Sequence, residues 1–477
     1  MAGPSIRNWE LARVLSTCNR VTLAAPGEPR RTSNAFEVRG YDADVLAQLV
    51  PRHDVVQTYG GLVERYPVLA DARYLVVDLY DPYPLENLHL YEARYPEVGL
   101  RLNAKDREAL TRLMQRGDLF LCASDRQRDF WTGWLAAAGR INPYTHRADP
   151  ALTSLLRVVP FGLPVEPPHR GVPRFKGIEP GIAADDFLVL WGGGVWNWFD
   201  PLTLIRAAAD LRVRLPKLRV VFPALSSPSP ASPPMAMATE ARRLATELGL
   251  TGSVVFFGDQ WVPYSERGSM LLEADVGVSL HREGVETRYS FRTRVLDYLW
   301  GALPIITTEG DSLADMVRSE GLGAVVPYGG VEAVADALHW MATHRWRRLR
   351  CGRRCRAAAT RFQWPSVARP LLAYCEAPHT APDRGQPMPM LTWPHDDPGP
   401  RHALDPDAPT SGANGLQPPT VPRGGPRPTA FVQPRVGKPS VLDRIGNAYR
   451  DGGLHQVAYK GAGALRRLLP RQQRTGR

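Results

Sequence analysis

Short apolar runs alternate with helical patterns along most of this 477-residue chain, and that alternation leaves few folds open. Apolar runs stand at residues 21–24, 55–58, 74–79, 119–123 and 158–160, with helical periodicity between them, as at 107–116 and 128–138. A second series follows, with apolar runs at 187–191, 218–222, 254–257, 275–280, 305–306 and 324–327. Its helical patterns lie at 201–212, 265–273, 331–342, 346–361 and 364–374. Runs of this length, separated by amphipathic helices, predict parallel sheets covered by helices on both faces. The fold class expected is therefore α/β, with two Rossmann-like domains.

The division follows from composition. Residues 1–163 form a first domain, and 164–184, rich in Pro, Gly and charge, a linker. Residues 185–362 form a second domain and 363–378 a closing helix. Residues 379–437 are dense in Pro, Gly and Asp with few large apolar side chains, the composition of a disordered linker. Residues 438–477 read as basic amphipathic helices. From 435 to 477 there are ten Lys/Arg against two Asp, much of the net charge of +11. Apolar stripes backed by arginine suit an anionic membrane surface, and equally a helical pair folded on the body or on a partner. No run of 18 apolar residues exists to span a bilayer. The five cysteines are scattered and lack metal-ligand spacing, as do His53, His89 and His146, so a reducing cytoplasm and no metal are expected.

Candidate binding residues concentrate between residues 286 and 315. Glu286, Arg288, Arg292 and Arg294 precede a helical run with Val295, Leu296, Leu299 and Trp300. Gly301 is expected to stop that helix, and Ile305 and Ile306 to form a buried strand ending in the polar loop Thr307, Thr308, Gly310, Asp311. Open parallel sheets bind ligands at such strand ends, and arginines at a helix start favour an anion. A phosphate-bearing ligand is expected; an arginine-flecked solvated helix is the plain alternative.

In the first domain, Asp78, Asp81 and Glu86 follow an apolar strand. They fit sugar hydroxyls or a catalytic base, and equally a turn and a helix cap. The Gly192-Gly193-Gly194 run after residue 191 marks a close strand-to-helix turn. It is not a dinucleotide fingerprint, since no GxGxxG is present. A helix starting at the Gly3-Pro4 turn without a strand to feed it breaks the α/β pattern. The expectation is an upstream extension of about ten to twenty residues with a strongly apolar core that supplies the missing strand.

Two consecutive α/β domains, a linker, and an arginine-rich helix start before a T-x-G-D loop resemble the family 4 glycosyltransferases of the GT-B fold, over roughly residues 3 to 378. That family marks its donor site with a glutamate, seven spacers and a second glutamate. The matching segment is YSFRTRVLD, with Tyr289 in place of the first acid and Asp297 in place of the second. Thr293-Arg294 matches a Thr-Lys pair whose lysine holds the donor diphosphate. Ala2-Gly3-Pro4 resembles the family's first Gly-rich loop, and GGGVWNWFDP its donor-domain turn, without the usual arginine. VFFGDQWVPYSE is similar to the segment beside the nucleotide base.

The resemblance implies a retaining transferase using a nucleotide sugar as substrate, with no cofactor and no metal. Arg292, Arg294 and Asp81 are the implied catalytic residues. Gly193, Gly194, Glu286, Tyr289, Asp297, Gly310 and Asp311 would line the donor site. Gly3, Asp78 and Glu86 would lie on the acceptor side. A lipid-linked or envelope polysaccharide acceptor follows from the basic tail, with a cytoplasmic, peripheral-membrane location and no nucleic-acid partner. An epimerase on the same cleft and a non-catalytic sugar-nucleotide scaffold are the alternatives.

Overall fold

The computed structural model describes residues 3–29, 31–91, 96–225, 235–259 and 261–387. Among these residues there are twelve strands in three sheets, all paired in parallel. In the first domain they are β1 (Thr22–Pro26), β2 (Glu37–Tyr41), β3 (Val55–Tyr59), β4 (Tyr74–Asp78), β5 (Leu119–Cys122) and β6 (Leu156–Val158). β1 pairs with β2, and β3 to β6 form a separate four-stranded sheet. In β4 and β5, Leu75, Val76, Val77, Leu119, Phe120 and Leu121 are all fully buried. Strands covered by helices on both faces need apolar side chains on both.

The second domain has β7 (Phe187–Leu190), β8 (Leu218–Phe222), β9 (Val255–Phe257), β10 (Val276–Ser279), β11 (Ile305–Thr308) and β12 (Gly323–Val326). Their order is β12-β11-β10-β7-β8-β9. Counted from the β9 edge this is the 3-2-1-4-5-6 order of a doubly wound sheet, so its topological switch point lies between β7 and β10. Side-chain caps fix the helices around it. Asp200 caps Pro201–Leu211, and Asp311 caps Ser312–Glu320, which Gly321 ends in the left-handed region at φ 62°.

Gly301 does cap the helix Thr293–Trp300, but not through backbone freedom. Its φ is −72°, and the left-handed residue is Ala302 at φ 53°. Glycine is needed at 301 because a Cβ there would sit 2.9 Å from the Leu271 Cβ. The same helix sends Tyr298 under the sheet. Its hydroxyl accepts from the Gly192 N–H at 2.8 Å and donates to the Val278 carbonyl at 2.8 Å. That contact ties the glycine turn after β7 to β10.

The stretch at 164–184 is pinned to the second domain rather than free. Glu273 accepts from the backbone N–H groups of Arg174 at 2.8 Å, Phe175 at 2.8 Å and Lys176 at 3.1 Å, and Phe175 and Ile182 are buried. The helices Trp364–Val367 and Arg369–Glu376 return to the first domain, with Trp364 against Phe161 and the Pro370 carbonyl accepting from Arg157.

The expected disordered segment begins too early at 379. Asp383 takes Arg140 in a bidentate pair at 2.8 and 3.0 Å, while Asp118 accepts from the Ala381 N–H and pairs with Arg384. These charges give Arg140 and Asp118 the counter-charges they would otherwise lack, beside the Met114 carbonyl on Arg140 and the Leu75 N–H on Asp118. The remainder of 379–437 and the whole tail at 438–477 lie outside the described residues.

Candidate functional site

At the switch point the carboxyl ends of β7, β10 and β11 converge. The loop after β7 carries Gly192, Gly193 and Gly194, then the aromatic run Trp196, Trp198 and Phe199. Gly193 has φ 83°, and no atom stands within 4 Å of where its Cβ would be, so backbone faces open space there.

Over this loop lies Arg294. It is 9% exposed, and among the described residues no carboxylate pairs with it. Its Nη2 donates to the Gly194 carbonyl at 2.9 Å. The guanidinium sits 4.0 Å over the Phe199 ring and 4.8 Å over Trp191. Nη1 is buried without a partner. Burial, with Arg292 adding to it, pushes its pKa down to about 10. A desolvated, uncompensated cation is costly unless an anion completes it.

Arg292 differs. Its Nη1 and Nη2 donate to Glu286 at 2.8 and 2.6 Å, and both residues are buried. Burial works against the Arg292 charge, but Glu286 outweighs it and raises the pKa. Its Nε stays unpartnered, 4.0 Å from Asp311 Oδ2. Asp311 spends Oδ1 on the Ala314 N–H at 2.7 Å, capping the helix, and leaves Oδ2 without a hydrogen bond. Burial pushes its carboxyl up to about 6, against the pull of Arg292.

Beside them, fully buried His281 is held by Ser279 through Nε2 at 3.1 Å and by Thr308 at its backbone N–H, and its Nδ1 has no partner. Burial first, then Arg292 and Arg294, drives its pKa well below 6.5, so the imidazole is neutral. The unpartnered atoms of Arg292, Arg294, His281, Asp311 and Ser312 all belong to residues at these strand ends. Buried groups of this kind normally find partners, so their clustering makes this the candidate ligand site.

The first domain supplies the facing wall. Glu86 and Asp81 are hydrogen-bonded to each other. Burial raises both carboxyls, Glu86 well above its usual value with Asp81 and Glu286 adding, so the pair keeps one proton between them. Arg126 reaches across to the Gly310 carbonyl and Asp315, and Gln127 donates to the carbonyls of Tyr80 at 3.0 Å and Tyr289 at 2.9 Å.

The residues expected from sequence thus divide. Arg292, Arg294, Glu286, Asp311, Gly193 and Gly194 come together, and Asp81 and Glu86 face them. Three fall elsewhere. Asp78 is consumed by Arg7, at 2.6 and 3.1 Å, in a pair that staples the helix Gly3–Leu15 to the sheet. Tyr289 packs its ring 4.9 Å from Phe130 of the first domain. Asp297 pairs with Arg267 at 3.1 Å near the surface. Gly3 lies at the Tyr80 hydroxyl, and Gly310, at φ 111°, serves through its carbonyl. Sequence inspection passed over His281, Arg126 and Gln127. The signal for His281 was a lone histidine closing the apolar run 275–280.

No protein-family model matches this chain, and no curated protein does. Solved structures do match in shape. Sucrose-phosphate synthase from Thermosynechococcus elongatus superposes with a TM-score of 0.55 at 15% identity, over 78% of this chain and 92% of that one. Anabaena HepE, solved in complex with UDP and glucose, gives 0.54 at 14% identity over 79% and 97%. WaaG, a glycosyltransferase involved in lipopolysaccharide biosynthesis, gives 0.52 at 15% identity over 79% and 97%. The fold is GT-B. In GT-B terms, the switch-point residues belong to the C-terminal lobe and Asp81, Glu86, Arg126 and Gln127 to the N-terminal lobe.

Proposed function

We propose that this chain is a glycosyltransferase that moves a sugar from a nucleotide-sugar donor with retention of anomeric configuration. The observation that carries the proposal is Arg294, a buried guanidinium with no carboxylate partner, whose free Nη1 stands among other unpartnered polar groups at the switch point. A nucleotide diphosphate supplies the missing anion. UDP-bound HepE has the same fold, which favours a nucleotide over a simple phosphate.

The mechanism follows from the charges. As the bond between the anomeric carbon and the diphosphate oxygen breaks, negative charge builds on the leaving diphosphate. Arg294 and the Arg292 Nε meet that charge, and the neutral His281 imidazole can donate to it without adding repulsion toward the arginines. These side chains carry the role for which other transferases use a metal, so no metal is expected. Asp81, sharing the Glu86 proton, orients an acceptor hydroxyl from the N-terminal lobe. The acceptor enters on the face the diphosphate leaves, which gives retention. We take the acceptor to be an envelope polysaccharide or lipid-linked saccharide, because the tail sequence at 438–477 is basic and apolar in stripes. Among the described residues no helix is long and apolar enough to cross a membrane; the membrane contact we propose is through that basic tail and is peripheral.

Thermal-shift titration with UDP, GDP and ADP, followed by turnover of the matching nucleotide sugars in the presence of chelator, tests the proposal. One nucleotide should raise the melting temperature and its sugars should be consumed. Absence of any nucleotide shift would overturn it. Vesicle co-sedimentation, with and without residues 388–477, tests the membrane contact.

A further inference from the structure

The helix Arg345–Ala359, in the C-terminal lobe, carries seven arginines and no acid. Other exposed helices balance their arginines locally, as Arg112 with Glu108 and Arg243 with Glu240 and Glu247. Here two arginines serve the fold. Arg348 pairs with Asp275 at 3.3 Å, and Arg354 donates to the Gly321 carbonyl at 3.5 Å. Arg345, Arg350, Arg353 and Arg356 are exposed, and among the described residues no carboxylate pairs with them. This charge does not stabilise the helix. Arg345, Arg347 and Arg348 stand in the first turn, where the helix dipole disfavours cations, and His344 provides no side-chain cap. Arg350, Arg353 and Arg356 follow one another at the i, i+3 spacing, at which like charges repel. The helix is held instead by its inner face, where Cys351, Gly352, Cys355 and Ala358 are buried.

The outer face is apolar as well as basic. Trp346 is 80% exposed and Leu349 44%. Trp346, Arg350 and Arg353 fall at i, i+4 and i+7 on one stripe, with Leu349 one turn from Trp346. A cover for this face must be both anionic and apolar. Nucleic acid would take the arginines and the indole but leave Leu349 in water. A second copy of the helix, or the basic tail at 438–477, carries the same sign and is repelled. An anionic bilayer meets all three groups and needs no matching concavity. Its phosphates pair with guanidinium groups, an indole rests at headgroup depth, and a leucine lies just below. The position of the helix suits this. Arg348 meets Asp275, and a Cβ on Gly352 would stand 2.5 Å from the Ala302 carbonyl oxygen, which puts the helix by the amino ends of β10 and β11. The switch point lies at their opposite ends, so docking here leaves the cleft open.

We propose that the outer face of the helix Arg345–Ala359 docks the folded body on an anionic phospholipid bilayer. Trp346 and Leu349 enter the interface, and Arg345, Arg350, Arg353 and Arg356 hold lipid phosphates. This contact is separate from that of the tail, and it does not depend on which reaction the cleft performs. Two basic elements on one chain bind a membrane more firmly than either alone.

Co-sedimentation of the full chain with vesicles tests this, using phosphatidylcholine alone and phosphatidylcholine mixed with phosphatidylglycerol. Two full-length variants are compared with the parent: Trp346→Ala, and the triple change Arg350→Ser, Arg353→Ser and Arg356→Ser. All four side chains are exposed, so both variants should melt with the parent. The parent should bind the anionic vesicles and release them as salt is raised. The triple variant should partition more than about tenfold more weakly. Brominated lipid should quench less tryptophan fluorescence in Trp346→Ala than in the parent. Equal partition of parent and triple variant overturns the proposal and leaves membrane contact to the tail. Equal binding of the parent to neutral and anionic vesicles also overturns it. So does arginine-dependent binding to duplex DNA with none to anionic vesicles, which would give the face to nucleic acid.

Discussion

Replacing Arg294 with methionine separates a functional arginine from a structural one. Methionine keeps the length and apolar stem and removes the charge. On the stability side three quantities oppose one another. The pKa depressed from the ordinary arginine value to about 10 corresponds to about 3 kcal/mol of unfavourable burial for the charged form at neutral pH. The charge-assisted bond to the Gly194 carbonyl returns about 1.5–3 kcal/mol. The faces of Phe199 and Trp191 return about 1 kcal/mol each. The sum lies near zero, so Arg294→Met should melt close to the parent. Turnover is another matter. If Arg294 holds the donor diphosphate as proposed, the contact strengthens as the leaving group gains charge, so its loss should lower turnover more than donor affinity. By analogy with an oxyanion-hole donor, turnover should fall about 10²–10³-fold, roughly 3–4 kcal/mol. Arg294→Lys should recover part of it, since a point charge remains without the planar fork. Arg292→Met is the control. It strands Glu286 in the interior and should cost about 3–5 kcal/mol of stability. Turnover at saturating donor with chelator present, beside melting curves for all three variants, decides the matter. A turnover loss below about fivefold in folded Arg294→Met, or a melting drop as large as that of Arg292→Met, would refute the reasoning.

Asp311 predicts a pH effect. Its folded pKa of about 6 exceeds the unfolded value, so its contribution to stability is present at low pH and is lost as pH rises through the folded value. The charge it gains competes with the donor for Arg292, so affinity for a nucleotide sugar, whose diphosphate does not titrate there, should weaken between about pH 5 and 7. Asp311→Asn keeps the helix cap and should flatten that profile; an unchanged slope would count against it. Truncation after 379 removes Asp383 and Arg384, exposes the buried charges of Arg140 and Asp118, and should cost several kcal/mol, again read by melting. Gly277→Ala would set a Cβ 2.5 Å from the Tyr298 ring and should destabilise by about 1–3 kcal/mol; equal stability would mean the ring has room to shift.

The α/β class, the two series of strands and the concentration of charged and polar groups at residues 286–315 were legible in the sequence. A strand covered on both faces must be apolar along its length, and a helix between strands must repeat at its own period, so both leave marks in neighbouring residues. β2 left no such mark: in Glu37–Tyr41 only part of each side chain is covered, and its composition is mixed. The fate of individual charges was not legible at all. Arg292 and Arg294 stand two residues apart and look alike, yet one is neutralised by Glu286 and the other by nothing but a carbonyl and two rings. Asp78 and Asp81 stand three residues apart, yet Arg7, 71 residues from Asp78, reaches the first, while the second meets Glu86. Asp383 and Arg384 sit in a proline-rich stretch and are held because Arg140 and Asp118, more than 240 residues away, need partners. Local pattern records how much of a residue is covered. Which charge a buried residue meets depends on chain that arrives from far away, and the tertiary structure alone decides it.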